Sequence, residues 1–559
     1  MDTRILEYGS LKYAIEKDIS LPDADKVTVV FFDDNLTCIE RVSLKVIKAV
    51  EIYEKIRDKQ PIELNGVYLK DFSLSEYRTK YGLQNFEEIE IFEFKANDVF
   101  FDCEQIIDFS GASFRGKQVD FSHSVFGNGK VDFSNVKFND AHVNFKHSRF
   151  GNGLKNFQSV SFGKGDVSFR GANLGNGDVV FSDTFFGYGV VEFRNTVFGK
   201  GNVDFKFVKF RNTAIVFERA EFNEGRKDFK NTEFGEGKAD FRRVNFGVGD
   251  VLFEGVEFGG EKLIFRGSVF GKGHVVFDDA AFSTETVSFD KVEFGEGTLS
   301  FCRAKARNVS FAACSFDCFV DFKFASCDTL NLSGAVIRDI IDVVPDEATV
   351  SLKQLVLINT RILGRLFINW RENKVYDIIV NQNNSDNYQK AEQFRILKEN
   401  FRVNGQYEDE DLAYISFKRF EAKTVLQKEL NSEWYLTLMA YPKFYFQQYI
   451  FDYVGRYATS PARVIMNGIF TIFIFGLLYY FINVFFPSYG SIESTLPSSL
   501  NHFQEFWNSI YYSAITFFTI GYGDYFPHGI LKLVAAFEGF SGVFLMSYFT
   551  VAFVRKILR

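Results

Sequence analysis

The stretch FRNTVFGKGNVD, residues 193–204, is one unit of a repeat that decides the fold of most of this chain. Phenylalanine recurs at every twelfth residue from 109 to 301, and a second apolar residue follows it five positions later. In most units a Gly-x-Gly comes next, as at Gly199 and Gly201. Self-similarity at a short fixed period predicts a solenoid, in which successive coils stack along one axis.

The pattern within each unit favours β-structure. Twelve residues are too few for a pair of helices, whereas alternating apolar and polar positions are typical of strands and glycine permits tight corners. Steps of five and seven residues would give a four-sided coil of about 24 residues. The seventeen repeats then make about eight coils and a rod ~40 Å long. This hypothesis requires phenylalanines about 24 positions apart to stack directly over each other.

The spacing of five resembles pentapeptide-repeat proteins, whose units centre on an inward leucine or phenylalanine. The nearest match is FRGANL, residues 169–174, which is similar to the A-(D/N)-L pattern of that family. The chain departs from the family because every second unit has seven residues, enlarged by the glycine corner. The resemblance implies a right-handed β-helix, and we place it at residues 61–370. Its first and last faces are expected at Leu64, Leu69, Leu74, Leu357, Ile362 and Phe367.

Residues 1–60 predict a small α/β cap that covers the first coil, because stacked repeats need a covered terminus. A short apolar strand is expected at residues 28–32, and a helix from Ser43 to Arg57. The N-terminus has charges at Asp2 and Arg4 and no apolar run, so we expect no cleavable signal peptide.

The surface of the rod carries charges of both signs. This surface is either a solvated face or a binding surface for an unidentified cytoplasmic protein or small ligand. Exposed positions are expected at Lys117, Asp132, Glu192, Arg219, Asp240 and Glu254. A net charge of −8 argues against nucleic acid as a partner. The six cysteines form no CxxC pair and fit small buried residues in a reducing compartment. With no nucleophile, metal set or phosphate loop in view, we expect neither an enzyme nor a cofactor.

Residues 371–460 predict a helical hairpin followed by an interfacial segment. Helices are expected at 386–403 and 411–426, separated by the helix stop Asn404–Gly405. Residues 433–455 are rich in tyrosine, phenylalanine and tryptophan, which suits the headgroup level of a lipid bilayer. The hairpin is either a structural coupler or a carrier of motion from the rod to the membrane.

Residues 461–559 predict two membrane spans with a short helix between them. The run from 464 to 486 has no charge and is long enough to cross ~30 Å of hydrocarbon, and a second span covers 530–554. Between them, residues 503–518 are too few and too polar to span. Basic residues flank the outer ends of both spans and are nearly absent between them, so both chain ends and the solenoid are expected to be cytoplasmic, in an inner-membrane protein.

The sequence TIGYGD, Thr519–Asp524, follows the short helix. A potassium filter replaces the hydration shell of the ion with rings of backbone carbonyls and a threonine hydroxyl. Aiming successive carbonyls at one axis requires backbone conformations that a Cβ disfavours, and glycine at alternate positions supplies them. The motif resembles the selectivity filter of tetrameric potassium channels. With its flanking spans, it resembles the pore of two-transmembrane bacterial potassium channels.

That resemblance implies specific roles. The carbonyls of Thr519, Ile520, Gly521 and Tyr522, with the Thr519 hydroxyl, would bind K⁺ as the permeant ion, and Gly523 would shape the outer mouth. Supporting residues would be Thr516, Tyr511 and Asp524, the last accepting a hydrogen bond from Tyr511. Ile515 stands where some relatives place a carboxylate, so a second acid beside Asp524 is not expected. One chain supplies one filter strand, which implies a homotetramer.

Three residues of the second span are further candidates. Glu538 is an intramembrane carboxylate and therefore a functional candidate. It would either hydrogen-bond behind the pore helix or face a water-filled cavity. Gly539 and Gly542 would either let the helix bend as a gate or allow close packing.

We therefore predict a multidomain chain with a right-handed β-helix (β-solenoid), an α-helical hairpin linker and an α-helical transmembrane pore of two spans and a re-entrant pore helix. The predicted function is a tetrameric potassium-selective channel with a cytoplasmic solenoid that regulates or scaffolds it. The alternative is a membrane-tethered scaffold protein with a closed, vestigial or less selective cation pore.

Overall fold

A computed structural model of the protein describes residues 12–17, 26–33, 35–85, 87–345, 352–431, 434–495 and 502–558. The chain divides into two compact units, Met1–Asn383 and Asn384–Arg559. The first is a β-solenoid of about 13 coils with a small cap, since the longest path through its sheets crosses 13 strands. The second is helical. The predicted fold class is confirmed, whereas the four-segment division of the chain stays a prediction.

Each regular coil of the solenoid has 24 residues, as the sequence predicts. Phenylalanine rings one coil apart stack face to face, with Phe193 and Phe217 at 4.8 Å between centroids and 9° between planes. Rings of neighbouring units in one coil meet edge to face, as Phe193 and Phe205 do at 5.9 Å and 87°. Both arrangements are favoured geometries for aromatic pairs. The buried phenylalanines therefore form continuous ladders that hold the coils in register.

The coils shorten beyond Phe301, where the sequence period loosens. Phe289 still stacks on Phe311 at 4.8 Å although 22 positions separate them. Predicted inward positions at Leu64, Leu69 and Leu357 are buried. Leu74 is buried too, but it begins a helix rather than a face of the coil.

The turns of the coil explain two charged positions that the sequence assigns to the surface. Asp132 and Asp240 each precede a phenylalanine, and each carboxylate accepts a hydrogen bond from the N–H two residues later, at 2.9 and 3.2 Å. Closing the turn in this way draws both side chains inward. The prediction that they are exposed is wrong, because Asp132 is 7% and Asp240 1% exposed.

The glycine corners are required by close approach between coils. Gly163 has a φ of +60°, and a Cβ there would overlap the carbonyl oxygen of Asn139 in the preceding coil. A side chain at this corner would therefore force the coils apart, which is why glycine recurs in the repeat.

The cap differs from the sequence prediction in one respect. Residues 43–47, predicted as helix, belong to the strand Cys38–Ile47, and the helix α1 covers only Ala49–Arg57. That strand pairs antiparallel with Lys26–Phe32 and parallel with Val67–Lys70. The sheet of the cap is thus continuous with the first coils, and tertiary pairing overrides the helical spacing of the apolar residues.

The strands pair in parallel along the solenoid axis, apart from the antiparallel strands of the cap. The sheet that includes the cap contains Lys12–Lys17, Lys26–Phe32, Cys38–Ile47, Val67–Lys70, Phe100–Asp102, Val125–Phe126 and Arg149–Phe150. The longest path contains Ile62–Glu63, Phe94–Lys95, Gln118–Asp120, His142–Asn144, Val167–Ser168, Phe185–Glu192, Lys209–Val216, Ala239–Asp240, Leu263–Ile264, Thr286–Ser288, Asn308–Ser310, Thr329–Asn331 and Gln354–Val356. Its branch contains Glu233–Phe234, Glu257–Phe258 and Ala281–Phe282. Another sheet contains Ile106–Asp108, Lys130–Asp132, Lys155–Asn156, Val179–Val180, Val203–Asp204, Lys227–Asp228, Val251–Leu252, Gly273–Val276, Gly297–Ser300, Phe319–Asp321, Ile340–Asp342 and Arg365–Phe367. A two-stranded sheet pairs Ile89–Phe92 with Ala112–Arg115. A five-stranded sheet contains Val269–Phe270, Glu293–Phe294, Ser315–Phe316, Val336–Ile337 and Arg361–Ile362.

Helices account for most of the second unit. In chain order, the helices of both units after α1 are α2 (Leu74–Tyr81), α3 (Val375–Val380), α4 (Asn387–Val403), α5 (Tyr407–Leu430), α6 (Trp434–Phe446), a π-helix (Gln447–Tyr453), α7 (Pro461–Phe485), α8 (His502–Phe517) and α9 (Leu531–Ile557). The predicted hairpin is α4 and α5: Asp386 caps α4 through the Gln389 N–H, and Gly405 ends it with a φ of +74°.

Helices α7 and α9 are long and apolar enough to cross a membrane. Pro461 begins α7 at the first helical position, where its missing N–H costs nothing. The 16-residue helix α8 lies between them in sequence and packs against both.

Candidate functional site

The loop TIGYGD begins directly at the C-terminal end of α8. The Thr519 N–H donates to the carbonyl of Thr516 at 3.0 Å, and the Ile520 N–H donates to the carbonyl of Ile515 at 2.8 Å. These bonds tie the start of the loop to the last turn of the helix. The negative end of the helix dipole therefore lies beside the loop, where it favours a cation.

The backbone of the loop alternates in conformation. Thr519, Gly521 and Gly523 have φ angles of +54°, +56° and +80°, whereas Ile520 and Tyr522 between them are not in the left-handed region. Alternation of this kind turns successive carbonyl groups toward the same side of the chain, with the N–H groups on the other. A row of carbonyl oxygens is the ligand set that replaces the water shell of an alkali cation.

The far end of the loop is also anchored. The Tyr511 hydroxyl donates to Asp524 Oδ2 at 3.1 Å, which is the contact that the sequence predicts. The Asp524 carbonyl accepts from the Thr495 N–H at 3.0 Å, next to the two-stranded sheet of Ile492–Ser494 and Tyr525–Pro527. Asp524 Oδ1 is buried and has no hydrogen-bond partner among the described residues.

Ile515 lies on α8, four residues before Thr519. It is 5% exposed and packs in an apolar cluster with Tyr479, Tyr512 and Leu531. Residue 515 thus contributes to the apolar packing of α8 against its neighbours.

Glu538 joins three helices behind α8. Its side chain is 0% exposed and accepts hydrogen bonds from the Tyr479 hydroxyl of α7, at 2.7 Å, and from the Ser513 hydroxyl of α8. The Ser513 hydroxyl also lies 2.8 Å from the carbonyl oxygen of Ile472 on α7. Of the two predicted environments for Glu538, the structure shows hydrogen bonding behind the short helix. Sequence analysis missed Tyr479 and Ser513, because neither belongs to a motif.

The two glycines of α9 lie in different environments. A Cβ on Gly542 would overlap the carbonyl oxygen of Phe517, the last residue of α8. A Cβ on Gly539 would meet only the Thr516 carbonyl, at an ordinary contact distance of 3.8 Å. Gly542 therefore allows close packing of α9 against α8, the second of its two predicted roles.

A single chain leaves the loop uncovered. Ile520 is 48% and Tyr522 71% exposed, and a Cβ on Gly521 or Gly523 would meet no atom within 4 Å. In a single chain this loop is therefore open to solvent.

The described part of the solenoid contains no cluster of metal-binding side chains. No group of three or more His, Cys, Asp or Glu side chains there could hold a metal ion. Burial raises the pKa of Cys314, Cys318 and Cys327 to about 12, which keeps these thiols protonated and unreactive.

Two lysines inside the solenoid were missed by sequence analysis. Lys155 and Lys227 are 1% and 0% exposed, and burial lowers their pKa values to about 7 and about 8. Their ammonium groups donate to the carbonyls of Gly151 at 3.2 Å and Val248 at 2.7 Å. Their place in the repeat could have revealed them, because both lysines stand at a position where the neighbouring coils have inward-facing valines.

Comparison with known proteins matches the second unit alone. A family model described as "Ion channel" matches residues 462–559, which include α7, α8, TIGYGD and α9. Neither the curated proteins nor the solved structures include a match to the chain. Together with the two apolar helices, the family match supports an ion-channel domain in a membrane for this part of the protein.

Proposed function

We propose that the protein is a potassium-selective channel in which TIGYGD is the selectivity filter. The observation that carries the proposal is the alternating backbone of the loop, with positive φ at Thr519, Gly521 and Gly523. The carbonyls of Thr519, Ile520, Gly521 and Tyr522 would bind dehydrated K⁺, and anchors at both ends of the loop would keep them in place.

The channel would be a homotetramer. Four copies of the loop around one axis give the rings of carbonyls that a dehydrated K⁺ needs, and one chain supplies one member of each ring. The exposure of Ile520, Tyr522 and Phe518 in the single chain supports this assembly, because neighbouring copies would cover them.

The start of α7 and the end of α9 would both lie on the cytoplasmic side of the bilayer. A guanidinium nitrogen of Arg555, in the last turn of α9, donates to the carbonyl of Tyr457, before α7, at 3.3 Å. The start of α7 and the end of α9 therefore lie on the same side of the membrane. Arg456, Arg463 and Lys556 are close to these two ends in sequence. The positive-inside rule assigns that side to the cytoplasm. The solenoid would regulate or scaffold the pore from there, with no enzymatic activity and no cofactor.

The scaffold function is favoured by one feature of the solenoid. Phe207 is 51% exposed although its φ of +57° is unfavourable for a bulky residue, and Tyr188 is 45% exposed. Solvent-facing aromatic residues of this kind suit a protein partner.

Ion flux through liposomes separates the two functions. Reconstituted protein should conduct K⁺, and Gly521→Ala should abolish flux because alanine disfavours the φ of +56° at that position. Gly405→Ala is the matched control, since Gly405 also has a positive φ but lies in the hairpin turn. Absence of K⁺ flux in the parent protein would favour the scaffold.

A further inference from the structure

The elbow between the π-helix and α7, residues 456–458, has an unusual backbone. Arg456, Tyr457 and Ala458 have φ angles of +49°, +54° and +61° in succession. Residues with a Cβ enter the left-handed region at a cost and normally one at a time. Three in a row persist only where neighbouring groups hold them.

A tyrosine of α9 stabilises the backbone conformation of the elbow. The Tyr548 hydroxyl accepts from the Ala458 N–H at 2.9 Å and donates to the carbonyl of Phe451 at 2.9 Å. It therefore bridges the elbow and the π-helix. Gly455 lets the ring approach, because a Cβ there would lie 2.7 Å from a ring carbon of Tyr548.

The end of α9 is tied to the hairpin as well. Asp411 of α5 lies 3.5 Å from Arg555 and 3.4 Å from Lys556, and its side chain is only 11% exposed. The Arg555 guanidinium lies 4.1 Å from the ring centroid of Tyr414, also on α5. Arg555 thus contacts the hairpin and, through the Tyr457 carbonyl, the elbow.

A third contact joins α5 to the π-helix. Arg419 of α5 forms two hydrogen bonds with the Asp452 carboxylate of the π-helix, at 2.7 and 2.9 Å. Asp452 is 7% exposed, and paired hydrogen bonds between arginine and a carboxylate are strong and directional. Polar contacts therefore link helix α5, the elbow with its neighbouring π-helix, and the last turns of α9 to one another. The two carboxylates in these contacts, Asp411 and Asp452, are buried.

We propose that Tyr548, Arg555 and Asp411 form a latch that couples movement of the hairpin to α9. The proposal rests on the proposed channel function, in which α9 lines the pore. The end of α9 cannot move relative to both the elbow and the hairpin without breaking the two hydrogen bonds of Tyr548 and the ion pairs of Asp411. A hairpin displacement carries α9 with it while the latch is closed, and the elbow leaves its left-handed conformation when the latch opens.

Single-channel recording tests the coupling. Tyr548→Phe should change the open probability at least fivefold and leave the reversal potential unchanged, because the filter is untouched. Ser547→Ala is the matched control, since among the described residues its hydroxyl donates to the carbonyl of Val543 in its own helix. Asp411→Asn and Arg555→Gln should each alter open probability, and the double variant should do no more than the larger single change. Fully additive effects, or no effect of any of them, would overturn the latch.

Proteolysis tests the latch without relying on conduction. In full-length protein, Tyr548→Phe should speed trypsin cleavage after Arg456, within the elbow, at least fivefold over the parent and over Ser547→Ala. Equal cleavage rates would overturn the latch even in a conducting channel. Faster cleavage in a protein that does not conduct would support the latch and contradict the proposed function.

Discussion

The hydroxyl of Tyr511 on α8 donates a hydrogen bond to Asp524 Oδ2, at 3.1 Å, across the length of the TIGYGD loop. The opposite end of the loop is held by the Ile520 N–H on the carbonyl of Ile515. Both anchors belong to the same helix. The loop is thus hydrogen-bonded to α8 at both of its ends, and the positions of its carbonyl groups depend on these two contacts.

Removal of the first anchor should loosen the loop. The hydrogen bond from Tyr511 is made to a charged group, but it lies at a partly exposed position, so its loss should have a modest effect. Tyr511→Phe should therefore lower the steady-state fraction of conducting channels about fivefold, measured as the ratio of steady to peak current. Asp524→Asn in the Tyr511→Phe background should add little. An unchanged ratio in Tyr511→Phe would show that the contact does not support the filter.

The two glycines of α9 should respond differently to alanine. Gly542→Ala places a methyl group against the Phe517 carbonyl and should displace the end of α8, so conduction should fall by tenfold or more. Gly539→Ala has room for its methyl group and should conduct like the parent. Unitary conductance and open probability measure both. A gating hinge at Gly539 would produce the reverse order, with the larger loss in Gly539→Ala.

The Glu538 contacts should matter more for stability than for selectivity. Glu538→Ala leaves the Tyr479 and Ser513 hydroxyls without their buried acceptor, which should cost about 3 kcal/mol of unfolding free energy. Glu538→Gln retains an acceptor oxygen and should lose less than half as much. The midpoint of thermal unfolding in detergent compares them. Equal midpoints for all three proteins would rule out a structural role for this carboxylate.

Lys155 should make the stability of the solenoid depend on pH. Its folded pKa of about 7 lies below the ordinary 10.5, so between these values the unfolded chain binds more protons. The unfolding free energy must then rise from about pH 7 to 10.5. Lys155→Val, which matches Val131 and Val179 one coil away on either side, should stabilise the solenoid most below pH 7 and progressively less toward pH 10.

Denaturant unfolding of the full-length protein, followed by β-sheet circular dichroism at several pH values, measures this effect. The exposed Lys146→Val is the control and should leave the pH dependence as in the parent. Identical pH profiles for Lys155→Val and the parent would contradict the burial argument. Lys227 should contribute in the same direction, because its pKa is also lowered.

The solenoid could be predicted from sequence because its determinants are local. The inward phenylalanine, the turn after it and the glycine corner all fall within twelve residues, and the ladder of Phe193 over Phe217 follows from their period. The strand Cys38–Ile47 could not be predicted in the same way. Its apolar residues fit a helix equally well, and only its pairing with strands at both sides decides the conformation.

The contacts of the candidate site also differ in whether the sequence could predict them. TIGYGD and the Tyr511–Asp524 contact follow from a short motif and its spacing. The partner of Glu538 lies 59 positions away at Tyr479, and the partner of Tyr548 lies 90 positions away at Ala458. No local period or motif specifies such pairs, since they arise only when three helices pack together.

Potassium selectivity of the TIGYGD loop is best measured as the reversal potential of the reconstituted channel. With K⁺ on one side of a bilayer and Na⁺ on the other, we expect the reversal potential to follow the K⁺ gradient. A reversal potential near zero, which means that Na⁺ permeates as well as K⁺, would show that the loop is not a potassium filter.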